Sequence, residues 1–286
     1  MAYIIKLKGG LGNQLFQYAA AKAISVQHNI PLLLDVSSYQ KKQSYRQPDI
    51  LSYNLPEAIA TTAQINKHVR NNWLYNRKPQ WLQPLLYNTY QEKSFAYNPA
   101  VCNLLAPHLL DGYFQSEYYF MQHKKYLQQT FGVAPLLPIP LQNLLLQIQN
   151  NNSIAIHIRR TDYLLAQFAS VHGALPATYY QRAIQHITNT VTSPTFFVFS
   201  DDINWAKQHL NLPSNTVFAS EITSTVAEDF YLLQQCKHNI IANSSFSWWA
   251  AWLNTSDNKM VIAPHTWFTT NHINSADLIP KKWLQL

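Results

Sequence analysis

The sequence has few charged residues: Asp, Glu, Lys and Arg make up 12% of its 286 residues, against roughly 25% in typical globular proteins. It has two cysteines, Cys102 and Cys236, too far apart to indicate a disulfide framework or a zinc site. No long apolar run is present, so no membrane-spanning helix is expected. Lys6 and Lys8 interrupt the short apolar start, so no signal peptide is expected either. These absences favour a reducing, cytoplasmic setting.

The charges that are present are mostly positive. There are 21 Lys and Arg residues against 14 Asp and Glu residues, a net charge of +7. Such a field favours anionic partners, for example nucleotides or anionic lipid headgroups. Because dense basic runs and arginine-rich arms are missing, nucleic acid is not an expected partner. The basic surface also favours peripheral contact with the cytoplasmic face of the inner membrane.

Short apolar segments alternate with segments of helical spacing, which predicts an α/β protein. Residues 3–7, 14–28 and 31–35 are predicted to be a strand, a helix and a strand, the unit from which parallel sheets are built. A second parallel sheet is predicted after residue 152 for the same reason. Its predicted strands are 153–159, 195–200, 239–243 and 259–264, and its predicted helices are 177–187, 225–236 and 246–253.

A proline-rich segment predicts where the chain divides. Residues 134–140 contain three prolines and precede a polar stretch, a composition typical of domain boundaries. We therefore predict an N-terminal domain of residues 1–150 and a C-terminal domain of residues 151–286.

The sequence AIHIRRTDY, residues 155–163, places two arginines at the end of a predicted buried strand. Residues two apart in a strand share a face, so His157 and Arg159 lie on one face and the alternate isoleucines of 154–158 on the other. Arg160 points elsewhere. Each charge could also belong to an ordinary structural ion pair.

Two other predicted strands end in polar residues. One leads into Asp201 and Asp202, and another leads into the serine-rich start of a helix at residues 243–247. Singly, each is an ordinary helix cap. Together they would line the carboxyl edge of a parallel sheet, where such folds bind ligands. A serine-rich helix start suits phosphate, and together with an arginine and a carboxylate it predicts a nucleotide as the ligand. The carboxylate could accept hydrogen bonds from the N1–H and amino group of guanine.

The glycine turn GGLGNQ at residues 9–14 supports a competing hypothesis. It follows a strand and opens a helix, and Asp35 ends the next strand, as in NAD-binding folds. The third glycine position of that motif is Leu15, however, and an NAD site would leave the two arginines unexplained. An NAD-dependent oxidoreductase using residues 3–35 is therefore an alternative, as is a non-catalytic sugar-nucleotide-binding protein.

Metal chemistry has no support in the sequence. Asp-x-Asp pairs, His-x-x-x-His pairs and Cys pairs are missing, and no Walker lysine follows the glycine turn. We expect no metal and no cofactor. If a diphosphate leaves during the reaction, Arg159 must stabilise it.

Several blocks of the sequence resemble the bacterial α-1,2-fucosyltransferases. They are KGGLGNQLFQYA (8–19), DGYFQSEYYF (111–120), HIRRTDY (157–163), FSDDINW (199–205) and NIIANSSFSWWAAWL (239–253). The resemblance implies a GT-B-like α/β fold, with two facing Rossmann-like domains and a cleft between them. It also implies metal-independent, inverting transfer of fucose from GDP-fucose to the 2-hydroxyl of a galactose, in an oligosaccharide or a lipid-linked glycan such as O-antigen.

The resemblance assigns roles to individual residues. It implies that Arg159 binds the β-phosphate, that His157 lies by the ribose or phosphate, and that Asn13 approaches the phosphate from the other domain. The expected donor-binding set is Gly10, Gly12, His157, Arg159, Asp201, Asp202, Asn243, Ser244, Ser245, Phe246 and Ser247. Asp202 is preferred over Asp201 as the guanine acceptor. Thr161 stands where bacterial members commonly have glycine, which bears on loop conformation and acceptor preference.

The catalytic base is left open. The candidates are Asp162, His172, Glu117 and Glu228, and each has an ordinary alternative as a cap, loop or surface residue. The tryptophans of residues 248–252 could stack on sugar, although their helical spacing favours core packing.

Overall fold

The computed structural model describes residues 1–40, 46–68, 89–106, 108–270 and 272–286. The described chain divides into two compact units. The first unit contains Met1–Lys124 and Ala276–Leu278, and the second contains Lys125–Ser275 and Ile279–Leu286. Residues 41–45, 69–88, 107 and 271 lie outside the described residues. Within the described ranges, every helix is too short or too polar to cross a membrane.

The first unit is a parallel sheet with helices. The strands described for it have the order β3-β2-β1-β5-β4 and pair in parallel. They are β1 (Tyr3–Lys6), β2 (Leu32–Asp35), β3 (Ala58–Ile59), β4 (Thr89–Gln91) and β5 (Leu109–Asp111). The helices are α1 (Leu11–His28) and α2 (Thr62–His68), with short 3-10 turns at Ser37–Tyr39, Asp49–Tyr53, Pro99–Asn103, Glu117–Tyr119 and Met121–His123.

The predicted β-α-β unit is present at the start of this sheet. Strand β1 lies between β2 and β5 and is buried, as its apolar sequence requires. Helix α1 begins at Leu11, one turn before the predicted start, and it ends at Asn29, which has a left-handed backbone with φ of 52°. The N–H of Asn29 bonds to the last carbonyls of the helix, which completes a common C-cap.

The second unit is also built on a parallel sheet, with the order β11-β10-β9-β6-β7-β8. Its strands are β6 (Asn152–Ile158), β7 (Pro194–Ser200), β8 (Val217–Phe218), β9 (His238–Ile240), β10 (Val261–Ala263) and β11 (Leu284–Gln285). Its helices are α3 (Lys124–Phe131, which begins at the division), α4 (Ile139–Asn150), α5 (Ala166–Ala169), α6 (Ala177–Thr190), α7 (Ile203–His209), α8 (Val226–Gln235) and α9 (Ser245–Leu253), with 3-10 turns at Asp162–Leu164 and Ala219–Glu221.

The units divide after Lys124 and not near residue 150, where the prolines predicted a boundary. Helix α4 begins at Ile139, within the proline-rich segment, and packs on β6 and α8. The prolines therefore stiffen a connection inside the second unit.

The alternation predicted for β6 is confirmed. Ile154, Ile156 and Ile158 belong to one buried cluster that includes Tyr180 and Ile184 of α6. The opposite face of the strand carries His157, which is therefore held over the other side of the sheet at its carboxyl end.

Candidate active site

The three polar strand ends predicted from the sequence come together. Strands β9, β6 and β7 are neighbours and run in parallel, so the residues that follow them share one edge of the sheet. His157 lies opposite Phe199 in the register, and Ile158 opposite Ser200. This carboxyl edge of the second sheet is the candidate active site.

Arg159 is held rigidly at this edge by carboxylates. Its Nε donates to Oδ1 of Asp162 at 2.8 Å, and its Nη2 donates to Oδ2 at 2.6 Å. Asp201 Oδ2 lies 3.4 Å from the same Nε. Burial works to lower the pKa of Arg159, but these carboxylates outweigh it and raise the pKa. The guanidinium is thus permanently charged, and its contacts with these two carboxylates use Nε and Nη2 and not Nη1.

Arg160 has a different environment. Its guanidinium lies 3.9 Å above the ring of Trp205, and its Nε is 3.7 Å from Oδ2 of Asp202. Its side chain is less exposed than that of Arg159, 14% against 27%. The two adjacent arginines are therefore separated, as strand alternation predicts, and Arg160 fastens the turn to α7.

Asp201 and Asp202 are both engaged by the protein. Asp201 accepts hydrogen bonds from the backbone N–H of Arg160 at 2.9 Å and from the hydroxyl of Thr161 at 2.7 Å. Asp202 caps α7 by accepting from the N–H of Trp205 at 3.0 Å. The ordinary helix-capping alternative thus describes Asp202, and Asp201 anchors the turn that carries the arginines.

His157 is buried against aromatic rings. Its ring centroid is 5.5 Å from that of Phe246, which in turn lies 5.2 Å from Phe230. Burial, and then the charge of Arg159, lower the pKa of His157 to about 3. Its Nδ1 is buried with no hydrogen-bond partner among the described residues. His157 is therefore neutral near pH 7, and it offers a polar atom for a ligand but no positive charge.

Helix α9 starts at this edge with its amide groups uncapped. Its N-cap, Ser244, makes no side-chain capping bond, and its first turn has no acidic residue. By contrast, Asp202 caps α7, and Thr225 and Glu228 form a capping box on α8. The free N–H groups at the start of a helix attract anions. The start of α9, with Ser245 and Phe246 half-buried beside it, suits a phosphate.

Two residues of the predicted donor-binding set lie beneath the edge. Asn243 is 1% exposed and donates to the carbonyls of His172 and Gly173 at 2.8 and 3.1 Å. The hydroxyl of Ser247 is buried and donates to the carbonyl of Ser244 at 3.2 Å. These side chains hold the loop and the helix start in place.

The tryptophans of α9 are core residues. Trp248, Trp249 and Trp252 are each at most 2% exposed, and their rings pack on one another at 5.3 to 6.0 Å. None of the three is accessible to a sugar.

The base candidates fall into different environments. Glu228 accepts from the N–H groups of Ser224 and Thr225, so it caps a helix. Asp162 lies at the edge but holds Arg159 with both oxygens. His172 stacks on Tyr163 with centroids 5.0 Å apart, and burial lowers its pKa although Asp162 opposes the shift. Glu117 belongs to the first unit.

The sequence analysis missed Asp229. It lies in the first turn of α8 and accepts from the hydroxyl of Thr223 at 2.6 Å and, more weakly, from that of Ser220. Ser220 also accepts from the N–H of Ser200, so this carboxylate lies near the end of β7. Burial raises the pKa of Asp229 to about 6, although the two hydroxyls oppose the shift. An acidic residue in the first turn of a helix is common and by itself indicates no function. Asp229 could have been singled out only because α8 begins near the carboxyl edge of the second sheet.

The glycine turn of the first unit contains the remaining predicted residues. Gly10 is the N-cap of α1 and makes no side-chain bond, Gly12 is buried in the first turn, and Asn13 is half-buried. Asp35 is 2% exposed and accepts from the N–H of Ser37 at 2.9 Å. The carboxylate that an NAD site would use for the ribose therefore belongs to a local turn.

Metal ligands are not clustered in the part of the chain that the structure describes. No group of three His, Cys, Asp or Glu side chains there is arranged to hold a metal ion. Metal independence stays a prediction for experiment.

Comparisons with known proteins agree with this geometry. The family model described as Glycosyl transferase family 11 matches residues 1–286. Two Escherichia coli proteins are similar over nearly their whole lengths. "Alpha-1,2-colitosyltransferase" is 32% identical and covers 99% of this chain and 98% of its own, and "O-antigen biosynthesis glycosyltransferase WbnK" is 31% identical and covers 98% and 99%.

Proteins with lower sequence identity are also similar to this chain. "Galactoside alpha-(1,2)-fucosyltransferase 2" of Pongo pygmaeus is 27% identical over 89% of this chain and 70% of its own length. The crystal structure of NodZ alpha-1,6-fucosyltransferase soaked with GDP-fucose has a TM-score of 0.51 at 15% identity, covering 88% of this chain and 92% of that one. This likeness concerns the fold, and with the two parallel sheets it confirms the predicted GT-B-like α/β class.

Proposed function

Because the chain belongs to glycosyltransferase family 11, we propose that it transfers L-fucose from GDP-β-L-fucose to the 2-hydroxyl of a terminal galactose, with inversion. One observation carries the proposal: a permanently charged guanidinium, that of Arg159, shares a sheet edge with the uncapped start of α9. A departing diphosphate needs such a pair of positive groups. The family sets aside the NAD-dependent oxidoreductase, and the turnover experiment below tests the non-catalytic alternative.

The proposed mechanism depends on charge that develops as the sugar leaves. The bond between the fucose anomeric carbon and the diphosphate breaks, and negative charge grows on the β-phosphate. Arg159 and the free amides of α9 stabilise that charge because they are already oriented before the reaction. Asp162 and Asp201 supply the orientation by holding the guanidinium. His157 is neutral and makes a polar contact with the nucleotide.

Inversion requires the acceptor oxygen to attack from the opposite face while its proton moves to a base. Asp162 and His172 are the candidates in the second unit. Protonating Asp162 would weaken its pair with Arg159, whereas the lowered pKa of His172 keeps its ring neutral near pH 7. We propose that one of these two takes the proton, and the pH profiles of Asp162→Asn and His172→Gln would distinguish them. The base should be the residue whose loss removes the acid limb of the profile of kcat/KM.

Recognition of guanine needs a carboxylate that can accept from its N1–H and its amino group. Asp202, the acid preferred from the sequence, already accepts from the N–H of Trp205 and has an oxygen 3.7 Å from Nε of Arg160. Among the described residues, Asp229 accepts side-chain bonds only from hydroxyls, which can rotate to another acceptor. Its raised pKa indicates incomplete compensation of its charge. We therefore propose Asp229 as the guanine acceptor, with Asp201 and Asp202 holding the arginine turn.

A second candidate function is colitosyl transfer. The E. coli relative at 32% identity is named for it. The two reactions share an edge that binds the nucleotide, so the difference would lie in the contacts to the transferred sugar. Parallel turnover assays with GDP-fucose and the corresponding colitose donor decide between the two.

The decisive experiment has two steps. A thermal-shift panel with GDP, UDP, ADP and NAD tests the ligand class, because a ligand at about 100 times its dissociation constant adds about 2.7 kcal/mol to the free energy of unfolding. We expect GDP to give the largest shift. Product formation from GDP-fucose and a β-galactoside then tests catalysis. Stabilisation by GDP without turnover of either donor would leave a binding protein and refute the enzyme proposal.

We propose further that the acceptor is a glycan at a membrane surface. Residues 131–141 contain no polar side chain, and Val133, Leu136 and Ile139 are 60%, 96% and 72% exposed. No Asp or Glu occurs between Glu117 and Asp162. An exposed apolar segment without carboxylates suits an anionic bilayer.

Cosedimentation with vesicles that contain anionic lipid tests this contact. Leu136→Asp should release the protein from the vesicles. Leu105→Asp changes another exposed leucine, 72% exposed and in the first unit, and should not. Equal binding of both variants would contradict the membrane contact.

A further inference from the structure

The loop after β5, residues 111–116, has two features that cost stability. Phe114 has φ of 53°, in the left-handed region that bulky residues rarely adopt. Gln115 is 7% exposed, and its Oε1 is buried with no hydrogen-bond partner among the described residues. Native proteins pair almost all buried polar atoms. Strain of this kind concentrates at functional sites.

Neighbouring residues impose this loop conformation. Both carboxylate oxygens of Glu92, just after β4, accept from the loop backbone, at 2.6 Å from Tyr113 N and 3.0 Å from Phe114 N. Gly112 permits the approach, because a Cβ on it would lie 2.5 Å from Cβ of Glu92. Glu92 therefore holds the loop in this conformation, although the conformation lowers the stability of the fold.

The loop brings Gln115 to the glycine turn. Gln115 Nε2 donates to Asn13 Oδ1 at 2.9 Å. The amide nitrogen of Asn13 lies over Gly9, where a Cβ would be 2.6 Å away, and Gly9 itself has φ of 80°. Because Oδ1 is directed at Gln115, the part of the Asn13 carboxamide turned away from Gln115 is its NH2 group. That donor lies in the first turn of α1, which has no side-chain cap and no acidic residue.

We propose that Gln115 is a positioning residue for the transfer reaction: it fixes the carboxamide of Asn13 so that a donor, and not an acceptor, faces the ligand at the start of α1. This rests on the proposed function. The ligand group that accepts this hydrogen bond is an oxygen, either of the diphosphate of GDP-fucose or of a hydroxyl of a sugar.

Gln115→Glu tests the proposal because it keeps the size of the side chain and reverses its polarity. A carboxylate can only accept, so Asn13 must donate its NH2 to it and turn Oδ1 toward the ligand. We expect kcat/KM to fall by about 10-fold to 100-fold, somewhat less than the roughly 10²–10³ for complete removal of one oriented donor, because Asn13 is turned and not removed. A rise in KM for GDP-fucose would assign the oxygen to the donor, and a rise in KM for the galactoside would assign it to the acceptor. Gln91→Glu adds the same charge at an exposed position of β4 and should behave as wild type.

A double-mutant cycle separates positioning from a structural effect. In an Asn13→Ala background, Gln115→Glu should cost less than twofold, because it acts through Asn13. An undiminished loss in that background would overturn the proposal, as would Gln115→Glu within twofold of wild type. If Gln115→Glu does not fold, Gln115→Met removes the donor without adding charge, and the same cycle applies.

A readout without turnover keeps this inference distinct from the proposed function. The side-chain NH2 resonances of Asn13, identified by their loss in Asn13→Ala, should move downfield in Gln115→Glu as they bond to a carboxylate. Unchanged resonances would refute the reorientation even in an active enzyme. If the wild-type protein transfers neither fucose nor colitose, the proposed function is refuted, but this resonance measurement remains valid.

Discussion

The carboxyl edges of the two sheets start from the same local structure and end with different chemistry. In each, a buried parallel strand leads to a helix with no side-chain cap and no acid in its first turn, α1 in one and α9 in the other. In the second unit, carboxylates hold the planar cation of Arg159 beside the helix start. In the first unit, Lys6 and Lys8 both pair with Asp111, at 2.8 and 2.7 Å.

The polar group left in the first turn of α1 is the neutral amide of Asn13, bonded to Gln115. The difference between the two edges shows that the strand, turn and helix by themselves supply only backbone N–H groups for binding a ligand. The residues on the neighbouring strands decide whether a rigid cation or a neutral donor stands beside them. The second edge therefore carries the fixed positive charge that the proposed leaving diphosphate requires.

The largest effect expected from this difference is that of Arg159→Lys. Lysine keeps the charge but cannot hold Asp162 through two N–H groups and still present others in a fixed plane. We expect kcat with GDP-fucose to fall by roughly 10²–10³. Arg160→Lys is the matched control, since Arg160 stacks on Trp205 away from Arg159. It should mainly lower the melting temperature. A kcat of Arg159→Lys within about fivefold of wild type would remove the contrast between the edges.

The next largest effect concerns the residue of the second edge that we propose to bind guanine, Asp229. Asp229→Asn replaces one acceptor oxygen by a donor and leaves a guanine N–H unpaired, at a cost of about 1–3 kcal/mol. GDP should then bind roughly 5-fold to 150-fold more weakly in calorimetric titrations.

Asp201→Asn and Asp202→Asn are the controls for this assignment. Asparagine still caps a helix, so Asp202→Asn should keep the fold and nearly all GDP affinity. If Asp202→Asn weakens GDP binding and Asp229→Asn does not, the acid preferred from the sequence is the guanine acceptor.

A third effect concerns stability and pH. The pKa of His157 is about 3 in the folded protein and near 6.5 ordinarily, so between these values the unfolded chain binds one more proton. The free energy of unfolding should therefore fall as the pH falls, with a contribution of up to about 1.4 kcal/mol per pH unit. His157→Gln should remove this contribution, which urea unfolding at pH 4.5 to 7 would measure. Parallel pH curves for the two proteins would show that His157 is not buried as a neutral ring.

The smallest expected effect is that of metal removal. If Arg159 and the start of α9 stabilise the leaving group, turnover of GDP-fucose should be unchanged in excess EDTA. The same assay with added magnesium or manganese provides the comparison. Loss of activity in the chelator that either metal restores would mean that the second edge needs a cation besides Arg159.

Much of the fold follows from local sequence patterns. The β-α-β unit at the start and the four strands and three helices predicted after residue 152 match the structure within a few residues, because apolar periodicity reports burial along a single element. The short elements α5, α7, β8 and β11 were not predicted. The opposite orientations of Arg159 and Arg160 follow from strand alternation in the same way. The pattern gives little warning of β3, β4 and β5, which have two or three residues each and exist only because neighbouring strands pair with them.

The sequence by itself determined which residues follow the strands of the second sheet, and hence that arginines, acids and serines would gather at one edge. Only the tertiary structure decided their partners. Asp162 binds Arg159, whereas Asp202 caps α7 and lies near Arg160. Asp229 belongs to α8 and accepts from Thr223. Arg159 and Asp162 are only three residues apart, but Asp201 and Asp202 reach Arg159 and Arg160 from a separate crossover. Those distances depend on strand order and helix packing, which periodicity along the chain does not encode.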